Sequence, residues 1–443
     1  VKALSIRVTA EAPLAIRADH APDGAKGADF IPGTTLVGAL AAAYRLLNPT
    51  QTDEFERLFL REQVLYPSLY PATFKHENKE MQALQATDLP VYPLPKTAQS
   101  CKRHDGFRLP QDDEVKAHGV HDSLIDWAIA KLGQEYGSSD PLLALKKHKF
   151  CPWPNDDWPD DNETRDKACG EVMDHYRGYY RRHNKKPYMI IARPNMRLRT
   201  HTGIDRETGT VEEGILYNRE VFEEGMRFWG SILFPEDDKE LVPLFEGFIK
   251  EIGPTGLVRI GTGRTRGMGR VTLRVQHLPD EQSRFASFQQ RLDKLNKKLH
   301  DQAADFGLNG LDNKFYFALT LHSPLILCDE FLRYRGTIDH DVLQKLLQDL
   351  PGADCEIPGL KRIYQAASVS RITGWQEMWG LPRTNEYAID TGSVFLFECT
   401  APLDEKVRER LFKLEEQGLG KRRVEGFGRI CISDQFHQEI GLR

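Results

Sequence analysis

The chain has 443 residues, of which 40% are apolar and 28% charged, with 35 glycines and 25 prolines. This composition excludes collagenous, low-complexity and disordered classes and leaves room for two to three domains. Sixty basic against 65 acidic side chains give a formal net charge of −5, which as a chain average argues against a nucleic-acid partner. No apolar run approaches the roughly 18 residues of a membrane span, so no membrane partner is expected. Seven cysteines, an odd number, and a start that reads as a strand rather than a signal peptide point to a reducing cytoplasm.

Leu4-Ser5-Ile6-Arg7-Val8 alternates apolar and polar residues, the pattern of a half-buried strand, and leads to Pro13-Leu14-Ala15-Ile16. Pro32-Gly33 as entry and Asn48-Pro49 as exit predict a helix over Thr34–Leu47, and a short helix is expected over Phe55–Gln63. Residues from about 90 to 190 are too many for a loop and read as an insertion. They hold Cys101, Cys151 and Cys169 together with six histidines, donors that suit tetrahedral zinc, although no CxxC pair is present. His104-Asp105 and His121-Asp122 are literal His-Asp pairs, but a metal phosphohydrolase of that type needs a further His and Asp.

Charge is segregated. Between Arg177 and Arg206 nine basic residues face one acid, Asp205, a net of +8, and Tyr176, Tyr179, Tyr180 and Tyr188 lie beside them as rings on which bases could stack. A helix is expected over Leu241–Ile252. Gly261 to Val271 is glycine- and arginine-rich and precedes a strand, Thr272–His277. Ser283–Asp305 reads as a polar helical connector. Beyond it come the strand Phe315–Leu321, helices over Val342–Asp349 and Asp404–Gln417, a second Gly-rich loop from Gly418 to Ile430, and the strand Cys431–Ser433.

The two halves match. Ile6 and Phe317, Val8 and Leu319, Pro13 and Pro324, and Leu14 and Leu325 are all offset by 311 residues. Both late loops read Gly-x-Gly-basic-x-Arg followed by Gly-apolar-Gly-Arg and a β-branched residue. Neither loop is a P-loop or a dinucleotide fingerprint. Glycines that let a backbone approach a phosphate, with arginines beside them, are expected to bind anions. The order implies one α+β fold used twice, an antiparallel sheet with helices on one face, over 1–280 and 313–443 with a connector at 281–312.

Together with Phe30-Ile31-Pro32-Gly33-Thr34-Thr35-Leu36-Val37-Gly38-Ala39-Leu40, this pair of loops resembles the RAMP superfamily of CRISPR-associated proteins, and Arg199–Thr210 followed by Gly214–Tyr217 is similar to the same family. The likeness extends to the five-prime-handle-binding subunit of type III-D effectors. It implies two tandem ferredoxin-like, RRM-type domains in a structural, non-enzymatic subunit. The implied partners are CRISPR guide RNA, the polymerase-like large subunit and the backbone RAMP subunits. An RRM-type sheet offers a flat face on which bases stack.

The expected RNA-binding residues are Gly33, Arg181, Arg182, Arg197, Arg199, His201, Arg206, Gly261, Gly263, Arg264, Arg266, Gly267, Gly269, Arg270, Gly420, Lys421, Arg422, Arg423, Gly426 and Gly428. Relatives carry a Cys-Lys start, a His-Gly-Val-x-Asp helix and a Cys-Pro-x-Cys-Gly knuckle. Cys101-Lys102, His118 to Asp122, Cys151-Pro152 and Cys169-Gly170 match these pieces, with an acidic stretch, Trp153 to Ala168, splitting the knuckle. The resemblance thus implies a structural Zn2+ on Cys101, His118, Cys151 and Cys169. The alternative implied by ribonuclease relatives is RNA cleavage, with His20 or His201 as acid or base and Arg206 as the cation, or with Asp29.

Overall fold

The structure, a computed structural model, describes residues 1–17, 26–73, 90–107, 117–138, 140–153, 168–182, 189–192, 194–204, 208, 210–253, 255–311, 313–351, 355–376 and 380–439. Its centre is a pair of four-stranded antiparallel sheets. In the first, the strands run in the order Val271–His277, Lys2–Ala10, Arg227–Phe234, Tyr70–Pro71. In the second, the order is Lys361–Ala366, Val394–Cys399, Phe315–Leu321, Ile430–Ile432. Numbered along the chain within each half, the strands of both sheets lie 4-1-3-2. In both, a helix follows the first strand and another follows the third.

Periodicity explains the packing of the first half. Leu4, Ile6 and Val8 point to one side of their strand and are fully buried. Against them lies helix Gly33–Leu47, which buries Leu36, Ala39, Leu40, Ala43 and Tyr44 on one stripe. Helix Leu241–Ile252 adds Phe245 and Phe248, with Phe248 edge-on to Tyr44 at 5.0 Å between ring centroids. Each fully buried Leu or Phe contributes about 1.5–3 kcal/mol. In the second half the helices begin on side-chain caps. Asp339 accepts from the Val342 amide at 3.0 Å, and Asp404 from the Val407 amide at 2.7 Å.

The duplication extends to individual hydrogen bonds. The Thr262 amide donates to the Ala15 carbonyl at 2.9 Å, and the Lys421 amide to the Ile326 carbonyl at 2.9 Å. Gly269 donates to Pro13 at 3.0 Å, and Gly428 to Pro324 at 2.8 Å. Each Gly-rich loop is therefore stitched to the segment that follows the first strand of its own half.

The insertion does not hang off this frame. Helix Leu124–Glu135 lays Leu124, Ile125, Ala128, Ile129 and Leu132 on the far face of the second sheet, where they meet Tyr316, Ala318, Val394 and Leu396. Helix Glu281–Asp305, expected as a polar connector, buries Phe288, Leu292, Leu295, Leu299 and Ala303 against the same half. The open base-stacking face expected of an RRM-type sheet is thus covered here. The sequence of Phe315–Leu321 agrees, because all seven residues are buried and six are apolar. Among the described residues, no helix is long and apolar enough to cross a membrane.

Burial also corrects the reading of the basic segment. Tyr176, Tyr179 and Tyr180 are buried and do not offer rings to solvent. Arg181, expected in a binding groove, is 1% exposed inside the small sheet of Tyr92–Pro93, Tyr179–Arg182 and Met189–Ala192. The Tyr180 hydroxyl instead donates to Asp434 Oδ1 at 2.7 Å, tying the insertion to the C-terminal segment.

Candidate functional site

The strands Met196–Ile204 and Val211–Phe222 pair antiparallel as a long two-stranded ribbon. Its register sets Arg199 opposite Arg219 and His201 opposite Tyr217. With a side-chain period of two, Arg197, Arg199, His201, Tyr217 and Arg219 share one face. Like charges directly opposite each other destabilise a strand pair, so this arrangement favours an anion between them. The His201 ring stacks on Tyr217 at 5.1 Å with 18° between planes.

The first Gly-rich loop meets that face. Gly263 and Gly267, both at φ +76°, bracket a single 3-10 turn, Arg264–Arg266. A residue with a Cβ is strained at this φ, so glycine is favoured at both ends. Arg264, Arg266 and Arg270 are exposed, whereas Met268 is buried beneath the loop beside Ala15 and Val221. Arg266 Nη1 donates to the Tyr217 hydroxyl at 2.6 Å, and Arg219 Nη1 to Thr262 Oγ1 at 3.2 Å. Burial lowers the Arg219 pKa from its usual value, and the charges of Arg17 and Arg266 lower it further. Among the described residues no carboxylate acts on it. Cations gathered in this way form a site for a phosphate or another polyanion.

The second Gly-rich loop has the same backbone but a different environment. Arg422, in the left-handed region at φ +58°, pairs with Glu386 at 2.5 Å and Glu425 at 2.6 Å and lies over the Phe427 ring. Arg383 also reaches Glu425, at 3.0 Å. Lys421 and Arg423 stay exposed. The loop packs where the halves meet, with the Glu425 carbonyl against Gly33 and Gly426 against Pro67 and Ser68. Gly420 and Gly428 approach the backbones of Ile326 and Leu419 just as Gly261 and Gly269 approach those of Ala15 and Ile260.

Within the insertion, Cys101, His118, Cys151 and Cys169 bring one ligand atom each to within 4.8 Å of one another, so they could hold a metal ion. Cys101 Sγ and Cys169 Sγ are 3.9 Å apart, close to the edge of about 3.8 Å expected for thiolates at about 2.3 Å from tetrahedral zinc. His118 Nδ1 is 3.3 Å from Cys151 Sγ. A knuckle assembles across the interrupted sequence. The Cys151 amide donates to the Glu171 carbonyl at 2.7 Å, and the Gly170 amide returns to the Cys151 carbonyl at 3.1 Å. Burial pushes the Cys151 thiol up to about 12, and the neighbouring sulfurs of Cys101 and Cys169 add to it. A bound cation reverses that preference and holds the thiolates.

Of the alternative catalytic residues, Asp29 and His201 are among the described residues. His20 and Arg206 lie outside the described residues. Asp29 is exposed and interacts with Tyr179. His201 sits on the ribbon, with Nε2 buried and without a hydrogen-bond partner among the described residues. Arg182 ends its strand next to the buried Arg181. The His-Asp dipeptides separate as well, since His121 faces Asp126 whereas Asp122 accepts from His437. Arg17 and Arg219 are the residues that sequence reasoning missed. Arg219 alternates with Tyr217 in a strand pattern, which is the signal that could have found it.

A family model described as the RAMP superfamily matches residues 7–272, more than half of the chain. No curated protein matches the sequence. Among solved structures, the chain is similar to one from a type III-B Cmr-beta complex bound to cognate target RNA and AMPPnP, at 12% identity and TM-score 0.33, covering 88% of this chain and 86% of that one. It is also similar to a chain of the Csm3-Csm4 subcomplex of a type III-A CRISPR-Cas interference complex, at 13% identity and TM-score 0.32, covering 91% and 96%. A third likeness is to oligomeric Cmr4 from Pyrococcus furiosus, at 14% identity and TM-score 0.25, covering 62% and 98%.

Proposed function

The chain belongs to the RAMP superfamily, and from that premise we propose that it is a guide-RNA-binding structural subunit of a type III CRISPR effector ribonucleoprotein. In this reading it grips the repeat-derived five-prime handle and contacts the polymerase-like large subunit and the backbone RAMP subunits in the cytoplasm. The two 4-1-3-2 sheets are then ferredoxin-like domains in tandem, over 1–280 and 313–443. The observation that carries the reading is the ribbon face of Arg199 and Arg219, closed by Arg17 and Arg266 and lacking a carboxylate partner for Arg219 among the described residues. A phosphate placed there relieves the repulsion, and the stacked pair His201 and Tyr217 gives an adjacent base a surface.

The protein acts as a binder and not as a nuclease. The Cys/His cluster takes Zn2+ as a saturated structural site of three sulfurs and one nitrogen, with no coordination position left for a reacting water. Its ligands come from separate segments of the insertion, so the ion stabilises that fold directly.

The test is incubation of the purified chain with repeat RNA, with and without EDTA. Retention of intact RNA in both conditions is expected. Metal-independent cleavage at the repeat base would replace this reading with that of a processing ribonuclease.

A further inference from the structure

A second convergence of ligands in the insertion is used neither by the RNA site nor by the Cys/His cluster. His121 Nε2 and His148 Nδ1 lie 2.5 and 3.0 Å from the same atom, Asp126 Oδ2. All three atoms lie within 4.8 Å of one another. The His121 and Asp126 side chains are 6% and 4% exposed, and that of His148 is 21% exposed. The two rings approach to 4.5 Å between centroids.

Each ligand comes from a different element. His121 lies on strand Val120–Asp122, Asp126 in the first turn of helix Leu124–Glu135, and His148 caps helix Leu143–Lys147. The middle element is fixed by its core packing on the second sheet, so Asp126 cannot easily withdraw. Among the described residues, no Lys or Arg pairs with Asp126. The carboxylate and the two imidazoles thus converge with no permanent cation among them, leaving the place of a positive charge open to a metal ion.

We propose that His121, Asp126 and His148 bind a second metal ion, a first-row divalent cation such as Zn2+ or Co2+. Two imidazoles and one carboxylate suit such ions and disfavour Mg2+ and Ca2+, which prefer all-oxygen shells. The exposed edge at His148 admits water to the remaining coordination position. The ion ties three elements at one point, including a helix of five residues that is too short to be stable alone.

The two ligand sets share two segments of chain. His118 and His121 lie three residues apart, as do His148 and Cys151. The two sets therefore sit side by side on the same two segments, each with its own ion.

The experiment measures the Co2+ content and absorption spectrum of the full chain after cobalt loading and desalting. Two Co2+ per chain are expected, one of them giving a thiolate-to-metal charge-transfer band. Asp126→Asn, and separately His148→Ala at the solvent edge, should each reduce the content to one and leave the thiolate band intact, which also reports that the insertion remains folded. Native protein holding only the thiolate-bound Co2+, or both variants keeping two, would overturn the proposal. Native protein holding one Co2+ that lacks the thiolate band and is lost in Asp126→Asn would support this site and overturn the zinc reading of the cysteine cluster instead.

Discussion

Arg266 donates a 2.6 Å hydrogen bond from Nη1 to the hydroxyl of Tyr217, a residue 49 positions earlier, and so ties the Gly-rich loop to the ribbon. The bond sets a guanidinium at the edge of the His201–Tyr217 stack while Arg219 and Arg17 lie nearby. If these cations hold phosphates, Arg266→Ala and Arg219→Ala should each weaken binding of repeat RNA. Each should also reduce the slope of log Kd against log salt by about 0.7, the value for one single-strand phosphate contact. Tyr217→Phe keeps the charge and should leave that slope unchanged. Titrations at several salt concentrations check all three.

The Cys/His cluster predicts a link between metal and thiol reactivity. Removing the ion with a strong chelator should lower the thermal midpoint and expose Cys101, Cys151 and Cys169 to an alkylating reagent. Cys101→Ser should reproduce the loss of stability without chelator. Peptide mapping of the alkylated cysteines, before and after chelation, is the check.

Much of the frame was readable from sequence because both halves carry the same strand and loop pattern. The 311-residue offset of Pro13 and Pro324 corresponds to equivalent hydrogen bonds from Gly269 and Gly428. Helix Leu241–Ile252 matched to the residue because its ends coincide with its apolar stripe. The pattern could not distinguish the environments of the two loops. Arg422 is neutralised by Glu386, which reaches it from a strand 36 residues away, and no local signal reports that pairing. Tyr176, Tyr179 and Tyr180 were legible as aromatic but not as buried, since their burial depends on how the insertion folds back over the first sheet and the C-terminal segment, and Tyr188 lies outside the described residues. The four proposed zinc ligands, split by a long insertion, were recovered only through resemblance and meet in space.

A pH dependence follows from the joint between the insertion and the C-terminal segment. Burial opposes ionisation of both Asp122 and Asp434, but His437 at 2.8 Å from Asp122 and His322 at 2.5 Å from Asp434 outweigh it and hold both carboxyls below the usual range. Groups depressed in the folded state contribute stability that is complete above the unfolded value of about 3.9 and is lost as pH falls toward the folded values. The urea midpoint should therefore drop as pH is lowered below about 4. Asp434→Asn should be less stable at neutral pH and show a flatter acid limb.

The packing of the second loop predicts unequal glycine substitutions. Gly426 is at φ +90°, and a Cβ there would stand 2.8 Å from the Ser68 amide nitrogen. Gly267, its counterpart, is at φ +76° and faces open space. Gly267→Ala should cost about 1–2 kcal/mol from the left-handed conformation alone. Gly426→Ala should cost more, because the backbone of the other half must also move. Denaturant unfolding of the two variants compares them directly.

In the proposed function, the ribbon and the first Gly-rich loop hold guide RNA. Ultraviolet cross-linking of the chain purified with its guide-RNA complex, followed by mass spectrometry of the cross-linked peptides, tests it most directly. Handle nucleotides attached to peptides containing His201, Tyr217 or Arg266 are expected. Recovery of the complex without RNA on this chain, or cross-links confined to surfaces away from those residues, would contradict it.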